Sequence, residues 1–122
     1  MVGDTGPAWL NKAVKVARAY QATTRGAPRA AHSVYVVLLY DRRRPDPWGL
    51  YVGQTSRDPD QRFDQHKSGY KASGAVRRFG IRLLPDIAEH LNPMRAWEAI
   101  ELEAALAEGF TVAGIPWVEG GH

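Results

Sequence analysis

SVYVVLLY, residues 33–40, is eight residues of β-branched, aromatic and aliphatic side chains with no polar alternation. Such a run fits a strand covered on both faces, because a strand with one wet face alternates apolar and polar side chains. A central strand implies layers on either side of a sheet, and the flanking sequence supplies them. DRRRPDPWG (41–49) reads as a loop and GLYVGQT (49–55) as a second strand, most simply the antiparallel partner of the first across a long hairpin connection.

Downstream, Asp58 followed by Pro59 is a helix N-cap with proline at the first helical position. Phe63 anchors that helix and Gly69 ends it. ASGAVRRFG predicts a second short helix closing near Gly80, IRLLPDI a third strand, and Asn92 the cap of a helix from Pro93 to Glu108 that stops at Gly109. In the glycine-rich tail, Val112, Ile115 and Trp117 are candidates to close the core. Upstream, residues 7–22 read as a helix with Trp9, Leu10, Ala13, Val14, Ala17 and Tyr20 on one stripe and Lys12, Lys15 and Arg18 outside, and 23–30 as a linker. The predicted class is α+β: a small three-stranded antiparallel sheet flanked by helices, in the order β-β-α-α-β-α. The N-terminal helix and linker (1–30) precede the main domain (31–122).

The composition is that of a soluble globular chain, 44% apolar and 24% charged in 122 residues. With no cysteine, disulfides and thiolate metal sites are excluded. The apolar run at 34–40 is too short to span a bilayer, and the first residues lack a signal-peptide pattern, so the expected location is cytoplasmic, away from membranes. The net charge of +3 hides an uneven distribution. Residues 1–82 carry 15 of the 16 Lys and Arg and six of the 13 acids, a balance of +9, whereas 83–122 stand at −6. A lopsided basic surface concentrates polyanions and is the footprint expected of nucleic-acid binding.

One carboxylate stands out on geometry alone. The helical neighbours of Glu103 at three and four positions are Ala99, Ile100, Leu106 and Ala107, all apolar. A carboxylate there is costly unless an arginine, a cation or a proton compensates it. Arg62 and His66, four apart on the preceding predicted helix, project from one face. The first offers a planar donor fork suited to phosphate, the second a group that exchanges protons near neutrality.

SVY (33–35), YVGQT (51–55), RFDQH (62–66) and EAIELEAALA (98–107), in that order and spacing, resemble the GIY-YIG nuclease family over about residues 33–118. Ala99, Glu103 and Leu106 fit the family's phrasing around its glutamate. The resemblance implies hydrolysis of DNA phosphodiester bonds with one divalent cation, Mg2+ or Mn2+. Glu103 would be the metal ligand and Arg62 the holder of the scissile phosphate. Tyr35, Tyr51 and His66 would position or deprotonate the attacking water, and which of the three is the base stays open. Ser33 replaces the first motif's glycine. Ile115 stands where several members carry asparagine, for which Glu119 and His122 are the possible substitutes. Candidate DNA contacts are Arg57, Lys67, Lys71, Arg77 and Arg78, with Arg42, Arg43 and Arg44 in the hairpin loop. No separate sequence-reading module is evident, so strict site specificity would call for a homodimer, a partner or a larger assembly. The competing expectations are a DNA-binding module of the same fold with weak or lost catalysis, and a subunit docked through its N-terminal helix.

Overall fold

The computed structural model describes residues 6–69 and 73–121. Its elements run α1 (Leu10–Arg18), β1 (Ser33–Tyr40), β2 (Trp48–Thr55), α2 (Pro59–Ser68), α3 (Gly74–Phe79), β3 (Gly80–Leu83), α4 (Pro85–Ala88), a 3-10 turn (Glu89–Leu91), α5 (Ala96–Val112) and β4 (Val118–Gly120). The class is α+β, and the sheet is four-stranded and mixed in the order β3-β1-β2-β4. β1 pairs antiparallel with both β2 and β3, as its sequence required, and β4 adds to β2 in parallel. A three-stranded antiparallel sheet was therefore one strand short. β4 is three residues long and is held largely by backbone bonds, Leu50 N–H to the Trp117 carbonyl (2.9 Å) and Gly121 N–H to that of Val52 (3.2 Å).

The two faces of β1 feed two separate clusters. Val34, Val36 and Leu38, with Leu50 and Val52 of β2, pack under α1, α4 and α5. Tyr35, Val37 and Leu39 face the other way with Tyr51, Phe63, Val76, Phe79 and Trp117, under α2 and α3. This double coverage explains the absence of alternation in the sequence. Ala13 and Ala17 of α1 are fully buried in the first cluster, so the apolar stripe of α1 is satisfied within the chain. Among the described residues no helix is long and apolar enough to cross a membrane.

Several boundaries moved. The N-terminal helix spans 10–18 instead of 7–22. The third strand stops at Leu83, because Pro85 opens α4. The last helix starts at Ala96, not Pro93; the Asn92–Pro93 peptide is cis, and the Asn92 amide does not cap it. Instead, Asn92 Oδ1 accepts from Val34 N–H (2.8 Å) and Nδ2 donates to the Val34 carbonyl (2.9 Å), closing the edge of β1 beyond the reach of β3. The helix also continues through Gly109 to Val112, ending before left-handed Gly114. Gly109 is a close-packing position: a Cβ there would stand 2.7 Å from the Tyr20 hydroxyl. Ile115 and Trp117 do close the core, whereas Val112 is 79% exposed.

Candidate active site

The β1–β2 register sets Tyr35 opposite Gly53 and Val37 opposite Tyr51, so both tyrosines rise from the same face of the sheet. Gly53 has no side chain to obstruct them; a Cβ there would meet the Tyr35 hydroxyl at 2.5 Å and the Tyr51 ring at 2.9 Å. The Tyr35 ring therefore lies over the β2 backbone, 6.1 Å from the Tyr51 ring. Helix α2 crosses this face. Asp58 caps it by accepting from Asp60 N–H (2.8 Å), Pro59 is its first residue and left-handed Gly69 ends it, as the sequence predicted.

From α2, His66 enters the cluster and is 2% exposed. Its Nε2 lies 2.9 Å from the Tyr35 hydroxyl, and its Nδ1 accepts from Ser73 N–H at 2.9 Å. Burial, helped by the neighbouring Arg62 charge, lowers the His66 pKa to about 4, so the ring is neutral near pH 7. With Nδ1 accepting, the ring proton of the neutral imidazole sits on Nε2 and is donated to the Tyr35 oxygen. The Tyr35 proton is then free for a further acceptor, and the Tyr51 ring stands next to it, 6.1 Å between centroids. The chain of donors runs one way, from Ser73 through His66 to Tyr35, with Tyr51 beside its end.

Burial raises the pKa of both tyrosines, Tyr35 furthest. At Tyr51, hydrogen bonds from Tyr35 and Ser73 and the positive charge of Arg62 work against that rise, while Glu103 adds to it. Arg62 sits one turn before His66 and donates from Nη1 to Gln65 Oε1 (3.1 Å).

Glu103 arrives from α5, on the opposite layer. β4 pairs along β2 only as far as Val52, and the Gln54 N–H beyond it acts to lower the pKa of the Glu103 carboxylate. It is 7% exposed, and burial pushes its pKa up to about 7 against that one hydrogen bond. The same helix holds a second buried glutamate, Glu98. Glu98 accepts four hydrogen bonds, from the N–H and hydroxyl groups of Thr23 and Thr24, at 2.6–2.9 Å. Burial alone would raise its pKa, but those four donors hold it down to about 2. Glu98 is thus a structural tie between α5 and residues 23–24, and Glu103 is the under-satisfied carboxylate.

Glu103 could contribute one ligand to a cation of the magnesium type. Among the described residues no group of three or more His, Asp or Glu side chains converges as a metal cage. Mg2+ is commonly held by one or two carboxylates, with water and substrate phosphate completing the shell. Glu103, with lone pairs left beyond its single backbone donor, suits that arrangement.

The basic residues divide into different roles. Arg57, Arg77 and Arg78 are exposed. Lys67 is not a free contact: its ammonium donates to the carbonyls of Arg77 (3.2 Å) and Gly80 (3.0 Å), closing the C-terminal end of α3. Lys71 and His122 lie outside the described residues. Glu119 accepts from the Trp117 indole (2.9 Å), and Ile115 is buried in the core. Sequence reasoning missed Ser73 and the Gln54 N–H; Ser73 had a signal, its place before Gly74 as a helix N-cap.

Compared with protein-family models, curated proteins and solved structures, the chain matches none of them.

Proposed function

We propose that this chain is a cytoplasmic, divalent-metal-dependent endonuclease of the GIY-YIG type that hydrolyses DNA phosphodiester bonds. The observation that carries the reading is the one-way donor chain from Ser73 through His66 to Tyr35, with the Tyr51 ring beside it and Arg62 and the buried Glu103 near enough to act on both tyrosines. The antiparallel pairing of β1 with β2 and β3 supports this reading, within a sheet that β4 makes four-stranded and mixed.

In this reading Tyr51 is the general base. It stands beside the end of the chain; burial raises its pKa, so its phenolate would need the positive charge of Arg62 and of a cation bound at Glu103 to offset that rise. Tyr35 and His66 are positioning residues, since the Tyr35 hydroxyl is already bonded to His66 and both His66 nitrogens are engaged. Arg62 presents a permanent positive charge to the scissile phosphate. Glu103 would hold Mg2+ or Mn2+. When bound, such a cation supplies positive charge that cancels the carboxylate and offsets charge building on the phosphate oxygens.

The test is nicking of supercoiled plasmid with Mg2+ or Mn2+. The wild type should nick; Tyr51→Phe and Glu103→Ala should each fall by about 10²–10⁴-fold, the usual range for a general base or a lost charge stabiliser. Equal rates for wild type and Glu103→Ala would defeat the reading.

A second reading has its own observation. Ile115 occupies the asparagine position of the resemblance and is 5% exposed in the core, so no tail amide is available there. A DNA-binding module with weak or lost catalysis would bind the plasmid in a salt-dependent way without nicking it.

A further inference from the structure

The β1–β2 loop carries three arginines and two acids, of which Asp41 organises two of the arginines. Asp41 Oδ1 accepts from Arg43 N–H (3.0 Å) and from Arg43 Nε (3.2 Å), and Asp41 Oδ2 lies 3.9 Å from Arg44 Nε. Arg44 lies on the Trp117 ring, its guanidinium carbon 3.7 Å from the centroid, while Arg43 stands 5.8 Å from that of Phe79. Both guanidinia face Asp41 through Nε, which leaves their Nη donors for a ligand. Arg44 keeps 40% of its side chain exposed. One carboxylate against two guanidinia leaves the cluster positive.

The place matters as much as the charge. Trp117 packs on Gly49, where a Cβ would meet its ring at 2.6 Å, and Gly49 lies two residues from Tyr51 on the same face of β2. Two residues of strand span about 7 Å, comparable with the step between neighbouring phosphates of an extended nucleic-acid strand. In the other direction, past Tyr35, the walls are acidic: a cavity of about 260 Å3 is bordered by Asp58, Asp60 and Glu89. A polyanion seated at Tyr51 and Arg62 is repelled on that side and received on the Trp117 side.

We infer that Arg44, laid on Trp117 and tethered by Asp41, is a phosphodiester-binding site that holds the DNA backbone one or two nucleotides from the scissile phosphate. The inference rests on the nuclease reading for its position, but not for its chemistry. A guanidinium already ordered on an aromatic face loses little side-chain freedom on binding, and its fork matches phosphate geometry.

The experiment measures anisotropy of a short fluorescein-labelled DNA duplex in EDTA across a salt series, and cleavage of the same duplex with Mn2+. Arg44→Ala should bind about tenfold more weakly, the worth of one charge-assisted contact. Its log–log salt slope should be shallower by about 0.9, the value of one lost phosphate contact. Arg44→Lys should keep the slope and recover only part of the affinity, having charge without the flat stack. Circular dichroism of each variant reports the fold. Wild-type affinity and slope in Arg44→Ala overturn the site, and cleavage by the wild type in that case leaves the nuclease reading standing. Loss of affinity and slope in a chain that never cleaves supports the phosphate site and removes the nuclease reading. A wild type that neither binds nor cleaves overturns both.

Discussion

At Gly53 the β2 backbone passes directly beneath the Tyr35 ring, and the space a Cβ would need is occupied by the Tyr35 hydroxyl at 2.5 Å. Gly53→Ala therefore keeps every functional side chain and displaces one of them. The hydroxyl that is bonded to His66 has to move, breaking the donor chain at Tyr35. The expected cost is about 1–3 kcal/mol of stability from overpacking. A larger effect, about 10²-fold, is expected on cleavage, because displacement of a positioned group by an ångström is felt in the rate. Urea unfolding and single-turnover nicking measure the two separately. A variant that loses stability but cleaves at the wild-type rate would show that Tyr35 only fills space. The glutamates make the companion point: Glu98 and Glu103 differ by five positions on α5, and what separates their chemistry is four donors against one.

Element by element, the signals that act within a few residues were the readable ones. The unalternating β1, the Asp58–Pro59 start of α2 and its glycine stop are local, and they placed Tyr35, Arg62 and His66 on the right elements. What failed was set by partners far along the chain. Gly109 looks like a stop until Tyr20 is seen against it, and Asn92 looks like a cap until Val34 claims its amide. The four donors of Glu98 could not be read from its own helix, because Thr23 and Thr24 are some 75 residues away in sequence. That tie is testable. Glutamine at 98 has one acceptor oxygen, and its amide meets N–H and hydroxyl donors, so Glu98→Gln should cost about 1–3 kcal/mol at pH 7. The sign of the pH dependence follows from a pKa held at about 2 instead of the ordinary 4.5. A carboxylate depressed by folding contributes stability that is full above 4.5 and is lost as pH falls toward 2. Urea midpoints of wild type and Glu98→Gln should therefore converge as the pH is lowered through that window. A gap that stays constant would mean that the four hydrogen bonds do not depend on the charge.

On the scale of the whole molecule, the charge split of the sequence is only in part a split of surfaces. The exposed Lys12, Lys15 and Arg18 of α1 lie on the layer of α5, and the exposed Asp60 and Asp64 on that of α2. The exposed Arg77 and Arg78 of α3 belong to the layer that carries α2 and the tyrosine cluster, and the exposed Glu101 and Glu108 belong to α5 on the opposite layer. In the proposed reading, DNA seated at Tyr51 and Arg62 would meet Arg77 and Arg78 of α3, with Glu101 and Glu108 of α5 on the other layer. Arg77 and Arg78 would then supply backbone contacts, and Lys67 would not, because its ammonium is engaged at the end of α3. The two roles make opposite demands on experiment. Replacing both arginines by alanine should weaken binding to all duplex sequences alike and flatten the log–log salt slope by about 1.8, two phosphate contacts at about 0.9 each. The unfolding midpoint should stay put, since both side chains are exposed. Lys67→Ala should do the reverse, lowering the midpoint as two carbonyls at the end of α3 lose their donor, with the salt slope unchanged. An anisotropy titration across a salt series, run beside urea unfolding for both variants, reads all four quantities. Lys67→Ala flattening the slope as an arginine loss does would place its ammonium on the DNA and remove it from the helix end.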